Sequence, residues 1–211
     1  MYIELHQLFN QLERFTYPFE KDLKRIPENG IYIKFEKGEK VNDLDRITRV
    51  GTDRGQNQLH SRLLQHFENE NQRRSIFRKH IGRSFLNSRN SDYLKFWDLD
   101  ITSRLDKEKN LKFIDINFEN LIEKEISKYI KENISFCVFE LNTKEERLFW
   151  ESKIIATLAQ DCNISPSENW LGKFSTNEKI ARYGLWQIQG LNKPKLEHKE
   201  LEKLKAIVTK K

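Results

Sequence analysis

Cysteine is scarce in this chain: of 211 residues only Cys137, in an apolar run, and Cys162, after a helical stretch, carry a thiol. Two thiols exclude a disulfide framework and a zinc site of paired-ligand spacing, and they fit a reducing compartment. Apolar residues are also sparse, at 37%. No run approaches the ~20 apolar residues that span a bilayer. The N-terminus, MYIELHQLFN, has no basic segment leading into an apolar block, as a secretory leader would. Internal repeats and low-complexity tracts are absent. The expectation is a soluble, cytoplasmic protein with no membrane partner.

What the chain does have is large side chains and charge. Its Phe 14, Trp 4 and Tyr 6 supply the bulky aromatics that dominate core burial. The length fits one domain with an insertion or with helical appendages, and a second core is not expected. Charged residues make up 33%, with 38 basic against 32 acidic, leaving a net +6 and a pI near 9.2. That balance is compatible with a polyanionic partner, and equally with an ordinary Lys/Glu-rich surface.

Hydrophobic periodicity outlines the elements. Residues 3–15 place Ile3, Leu5, Leu8, Phe9, Leu12 and Phe15 at mainly helical spacing, ending before Pro18. After the turn signal Pro27-Glu28-Asn29-Gly30, residues 31–35 and 46–50 read as strands, and the polar stretch 36–45 between them reads as a longish hairpin loop. Leu59, Leu63, Leu64 and Phe67 share one helical face, and residues 74–86 suggest a further short helix. Between about 87 and 117 the pattern breaks up, as in an inserted region. Helix 118–131, strand 134–139 and helix 144–160 follow, and a charged helix closes the chain. The expected class is α+β: a small three-stranded antiparallel sheet flanked by helices, with an insertion and extra terminal helices.

Three pieces of this outline stand in a telling order. Gly30-Ile31-Tyr32 opens the first strand, Arg49-Val50-Gly51 closes the second, and the following helix bears Arg62 and His66. This set resembles the GIY-YIG nuclease superfamily, with the first tripeptide intact and the second surviving as its glycine, Val50 replacing isoleucine. The resemblance runs from about residue 29 to 190. It implies three units: a helical extension over 1–28, a nuclease domain over 29–192 with its insertion at about 87–117, and a charged helix over 193–211.

The resemblance also implies roles. Tyr32 would lie in the active site near the attacking water as general base. A phenol is a poor base at neutral pH unless nearby positive charge favours the phenolate, and Arg49, standing where the family has its second tyrosine, could supply that charge. Arg49 could equally bind phosphate or be a plain strand residue. Arg62 would stabilise the pentacovalent transition state with its planar, permanently charged fork, and His66, one turn on, would aid proton transfer. Glu151 would hold a single Mg²⁺, or Mn²⁺, since hard oxygen ligands suit a cation that keeps several waters. Asn169, in Pro166-Ser167-Glu168-Asn169-Trp170, corresponds to an asparagine that closes the site; an Asn in a turn reads the same way. Trp170 and Trp186 read as packing residues.

Arg73, Arg74, Arg78, Lys79 and Arg83 concentrate charge just after the proposed active-site helix, as phosphate contacts or as a solvated helix face. The expected function is therefore metal-dependent endonucleolytic hydrolysis, with double-stranded DNA as partner, a restriction or phage-defence setting, and a homodimer or partner protein where both strands are cut. Two rivals remain. Glu151-Ser152-Lys153 has the Glu-x-Lys spacing of another nuclease superfamily, which needs a strand there. A non-catalytic DNA-binding or complex-forming module would keep the fold and relax the site.

Overall fold

The protein is described by a computed structural model covering residues 1–160 and 165–209; Cys162 lies outside the described residues. The first helix, α1 (Tyr2–Asn10), stops short of the 3–15 span expected from periodicity. Asn10 is the reason. Its side-chain amide donates to the Asp45 carbonyl and its oxygen accepts from the Asp45 N–H, both at 3.0 Å, which pins the helix end to the hairpin. Phe15 and Thr16 then form β1 (Phe15–Thr16), a two-residue strand too short to show an alternating pattern.

The hairpin is longer than expected. β2 (Gly30–Val41) and β3 (Leu44–Thr52) are joined only by Asn42 and Asp43. Asn42 takes φ 52°, the left-handed geometry that tight hairpin turns require. The polar 36–45 stretch is thus strand rather than loop. Its charges are satisfied in place: Lys40 pairs with Asp45 at 2.6 Å, and buried Glu39 pairs with buried Arg46 at 2.6 Å. The ladder slips between Lys34 and Phe35, a bulge inside the hairpin.

The last strand, β4 (Ile134–Glu140), pairs antiparallel with β2 on one side and with β1 on the other. The sheet therefore has four strands in the order β1-β4-β2-β3, not three. One face is covered by α2 (Leu59–Phe67), α3 (Ile76–Ser88) and α6 (Ile116–Asn133). On the other lie α1, α7 (Lys144–Gln160) and α9 (His198–Val208). Helices α4 (Leu94–Trp97) and α5 (Arg104–Asn110) belong to the 87–117 segment, and α8 (Glu178–Tyr183) precedes the last stretch of coil. Among the described residues no helix is long and apolar enough to cross a membrane.

Strand alternation sorts the side chains between the two faces. Ile31, Ile33 and Phe35 join the core shared with α1, α7 and α9, so the terminal helices and the hairpin bury one continuous cluster. Tyr32 points the other way, into the core made with α2, α3 and α6. Each fully buried Ile, Leu or Phe in these clusters stabilises the fold by about 1.5–3 kcal/mol before entropy is counted. The 87–117 segment is anchored to this second core by Trp97, fully buried, whose indole donates to the Lys79 carbonyl at 3.1 Å.

Candidate active site

The register of the hairpin decides where the polar residues of the second face meet. Tyr32 stands opposite Gly51, and Lys34 opposite Arg49. The Tyr32 ring lies across Gly51 so closely that a Cβ there would collide with the phenol oxygen. Gly51 is thus the residue that lets a tyrosine lie flat on its cross-strand neighbour. It is also the surviving glycine of the second tripeptide.

Helix α2 is seated by the loop before it. Asn29 and Asn57 bond through their side chains at 2.6 Å, and the Leu59 N–H donates to the Glu28 carbonyl at 3.1 Å. With Leu59, Leu63 and Phe67 buried, Arg62 and His66 fall on the margin of the apolar stripe. Four residues leave an angular offset of ~40° on a helix, enough to separate them. Arg62 is partly exposed and its Nη1 donates to Gln65 at 2.6 Å, whereas His66 is fully buried. Its ring meets that of Tyr32 edge-on, with centroids 5.5 Å apart.

Glu151 arrives from α7, two turns into the helix. Its Oε1 accepts from the Thr52 N–H at 3.2 Å, at the very end of β3. Its other oxygen makes no hydrogen bond or ion pair among the described residues. Burial pushes this carboxyl above its ordinary range, against the opposing pull of Arg49, the Thr52 N–H, Arg54 and Arg62. Because residues 149–154 are helical, the Glu-x-Lys rival, which requires a strand, has no structural basis.

Tyr32, Arg49, Arg62 and Glu151 line one open cleft of about 1090 Å³. Arg49 forms part of its wall. Its Nη1 donates to the Trp186 carbonyl, and its guanidinium lies 5.2 Å from the Phe77 ring centroid. His66 does not line the cleft; it sits behind Tyr32. Asn169 does not line it either. It is exposed in the loop before Trp170, and that loop is tied to a different centre: the indoles of Trp170 and Trp186 donate to buried Glu36 at 3.0 and 2.8 Å. Trp170 and Trp186 are core residues, as their pattern suggested.

The basic run is also redistributed. Of its five members only Arg74 reaches the cleft. Arg73 pairs with Glu119 at 2.6 Å, Arg78 is fully buried against Glu123 at 2.6 Å, and Lys79 and Arg83 both meet Asp98, at 3.5 and 2.7 Å. The acids that absorb them lie on α4's end and on α6, far off in sequence. Read alone, the run looks like one surface; helical rotation spreads it over several.

Other cleft residues carry no signal that sequence reasoning used. Gln187 caps the outer edge of β3, accepting from the Val50 N–H at 3.2 Å and donating to its carbonyl at 2.8 Å, and the Trp186 N–H donates to the Thr48 carbonyl at 2.8 Å. Arg54 and Lys193 add positive charge at the mouth. His80 also lines it, held neutral by burial and by Arg83 and Arg49, which push its pKa down to about 3. Gln187 directly follows Trp186, which the sequence marked as a packing residue.

A family profile described as the GIY-YIG domain matches residues 1–211. The chain belongs to the GIY-YIG family. No curated protein and no solved structure matches it. The GIY-YIG match takes in α1 and α9, which lie beyond the 29–190 stretch that the motifs alone cover. Membership places the chain in a family of nucleases, and a GIY-YIG site with one free carboxylate oxygen can be tested for a metal. Among the described residues no three His, Cys, Asp or Glu side chains cluster to hold an ion. A Mg²⁺ that keeps most of its waters and uses one carboxylate plus phosphate oxygens fits Glu151.

Proposed function

We propose that the chain is a metal-dependent endonuclease hydrolysing phosphodiester bonds in double-stranded DNA. The observation that carries this reading is convergence. A phenol from β2, guanidinium groups from β3 and α2 and a carboxylate from α7 line the same cleft, though they are spread over more than a hundred residues of chain.

In this reading Tyr32 accepts or relays the proton of the attacking water, and Arg49, fixed by the Trp186 carbonyl, lines the same cleft as a phosphate-facing cation. Arg62 faces the scissile phosphate and offsets the charge gained in the transition state. His66, closed off from the cleft, acts through Tyr32. Glu151 would hold a Mg²⁺ or Mn²⁺, which when bound would supply Lewis-acid polarisation of the phosphate and charge stabilisation at the leaving oxygen. Arg54, Arg74 and Lys193 are the phosphate contacts along the track. A cytoplasmic restriction or phage-defence role fits a small nuclease of this kind. With one cleft per chain, cutting both strands takes a homodimer or two successive nicks.

Supercoiled plasmid incubated with Mg²⁺ tests the chemistry. The native chain is expected to nick it, and Tyr32→Phe to slow nicking by ~10²–10⁴-fold, the usual worth of a general base. Full activity in Tyr32→Phe removes the assignment. Tight duplex binding without nicking in Mg²⁺ or Mn²⁺ favours instead the DNA-binding module, a reading for which Arg49 in place of the second tyrosine speaks.

The DNA track has its own test. Arg74→Ala is expected to reduce the slope of log affinity against log salt by ~0.9, one phosphate contact, while Arg83→Ala, already paired with Asp98, leaves it unchanged. Equal slopes for the two variants contradict the track.

A further inference from the structure

Lys34 is the oddest buried group in the molecule. It is completely inaccessible to solvent, and among the described residues no carboxylate pairs with it. Its Nζ lies 2.9 Å from Nδ1 of His66. Around it stand the rings of Phe77, Phe67 and Tyr32, with centroids 4.1, 4.8 and 5.4 Å from Nζ. The charges that face it are Arg49, Arg62 and Arg78, all cations. An amine buried without an acid is costly, and a methionine would fill the same aromatic box without that cost. What lysine adds is a hydrogen-bond donor aimed at one ring nitrogen.

The direction of that bond follows from the surroundings. Ring faces are electron-rich and accept N–H groups, an arrangement that suits Nζ as the donor and Nδ1 as the acceptor. Burial, reinforced by the neighbouring cations, pushes both the Lys34 amine and the His66 imidazole well below their ordinary ranges. A neutral imidazole carries a single ring proton. With Nδ1 accepting, that proton belongs on Nε2, a nitrogen that makes no hydrogen bond among the described residues. The ring is wedged edge-on between Tyr32 and Phe77, at 5.5 and 5.3 Å between centroids. Its backbone is fixed too, because Arg78 donates to the His66 carbonyl at 3.0 Å.

We propose that Lys34 is a positioning residue for the active site: it donates to Nδ1 of His66, holds the ring as the Nε2–H tautomer, and so keeps the Tyr32 phenol seated over Gly51 at the cleft. The inference rests on the reading of Tyr32 as the residue that takes the water's proton. The chain of contacts runs from Lys34 through His66 to Tyr32, and Lys34 itself touches neither water nor phosphate.

The test uses the full chain labelled with ¹⁵N-histidine, with the His66 signals assigned from a His66→Gln variant. The native protein, without DNA or metal, is expected to show a protonated Nε2 and a bare Nδ1 for His66, unchanged from about pH 6 to 8, where an ordinary histidine titrates. In Lys34→Met, Nδ1 loses its donor and the ring is expected to mix tautomers or begin to titrate. Plasmid nicking by that variant should lose ~10–100-fold in kcat, the usual cost of removing an orienting partner, with KM nearly unchanged.

A proton on Nδ1 in the native protein overturns the proposal, as does a Lys34→Met protein that keeps the native ¹⁵N pattern and full kcat. Should Lys34→Met fail to fold, the native spectrum alone still decides. A native chain that never nicks plasmid ends the nuclease reading by itself, and the histidine spectrum is read independently of that outcome.

Discussion

Glu151→Gln is expected to abolish plasmid cleavage and, at neutral pH, to raise the stability of the fold. In the proposed mechanism, losing the carboxylate that would hold the metal removes several kcal/mol of transition-state stabilisation, and each ~1.4 kcal/mol is tenfold in rate, so the expected loss is roughly 10³-fold. Stability moves the other way because the side chain also has a structural life. Its Oε1 accepts from the Thr52 N–H, a bond that glutamine can keep. Burial raises the Glu151 carboxyl above its ordinary value of 4.5, so the native state binds this proton more tightly than the unfolded chain does.

Such a group contributes stability that is fully present in acid and is lost as pH rises through its raised native value. Once ionised it is a partly buried charge with no ion-pair partner among the described residues. The glutamine variant should therefore melt above the native protein, and the gap should widen as pH climbs above 4.5. Melting curves at about pH 4 and pH 8 measure it, alongside the nicking assay. A glutamine variant that still cleaves with Mg²⁺, or one less stable at the higher pH, contradicts the assignment.

Arg78→Ala carries the largest expected loss of stability. Arg78 is fully buried, donates to Glu123 at 2.6 Å and to Ser127 at 2.8 Å, and holds the His66 carbonyl at 3.0 Å. One side chain thus ties α2, α3 and α6 together. Removing it leaves the Glu123 carboxylate buried without its partner, which costs about 3–5 kcal/mol. That is a large share of a typical ~5–15 kcal/mol of total stability. For a chain of this size it corresponds to a Tm lowered by roughly 6–20 °C. Calorimetry should find it, and a variant within a degree or two of the native protein would show that the ion pair contributes little. The double variant Arg78→Met/Glu123→Leu, which leaves no orphaned charge, should recover much of the loss.

How much of this was legible in the sequence differs from element to element. Long periodic segments were plain: α2, α6, α7 and β4 fall within a few residues of where their apolar patterns put them. So was the split at β2, since alternation alone sends Tyr32 away from Ile31 and Ile33. What stayed hidden depended on partners remote in the chain. The 36–45 stretch looks like a loop because Glu39, Lys40 and Asp45 are polar, and their pairings across the hairpin, Glu39 with Arg46 and Lys40 with Asp45, seat them inside strands. β1 offers two residues and no pattern.

The site followed the same rule. Tyr32, Arg49, Arg62 and Glu151 were marked by the ordered motifs and what the family resemblance implies of them, and all four line the cleft. Arg78 was marked by the charge run around it, yet its fate was set by Glu123, forty-five positions later. Asn169 was marked by the family resemblance, yet the neighbouring Trp170 binds its loop to Glu36. Lys34 carried no mark at all, because a lysine on a strand reads as solvent-facing until α2 and α3 close over it.

The sheet offers no rail along which a second molecule could extend it. On one side the Thr48 carbonyl and both backbone groups of Val50 are already taken by Trp186 and Gln187, and the opposite border is a strand of only two residues. A pairing of copies that brings two clefts onto opposite strands of a duplex then finds little of these two borders free, and if it is built from helical surfaces instead, the spacing between two cuts is set by how helices dock.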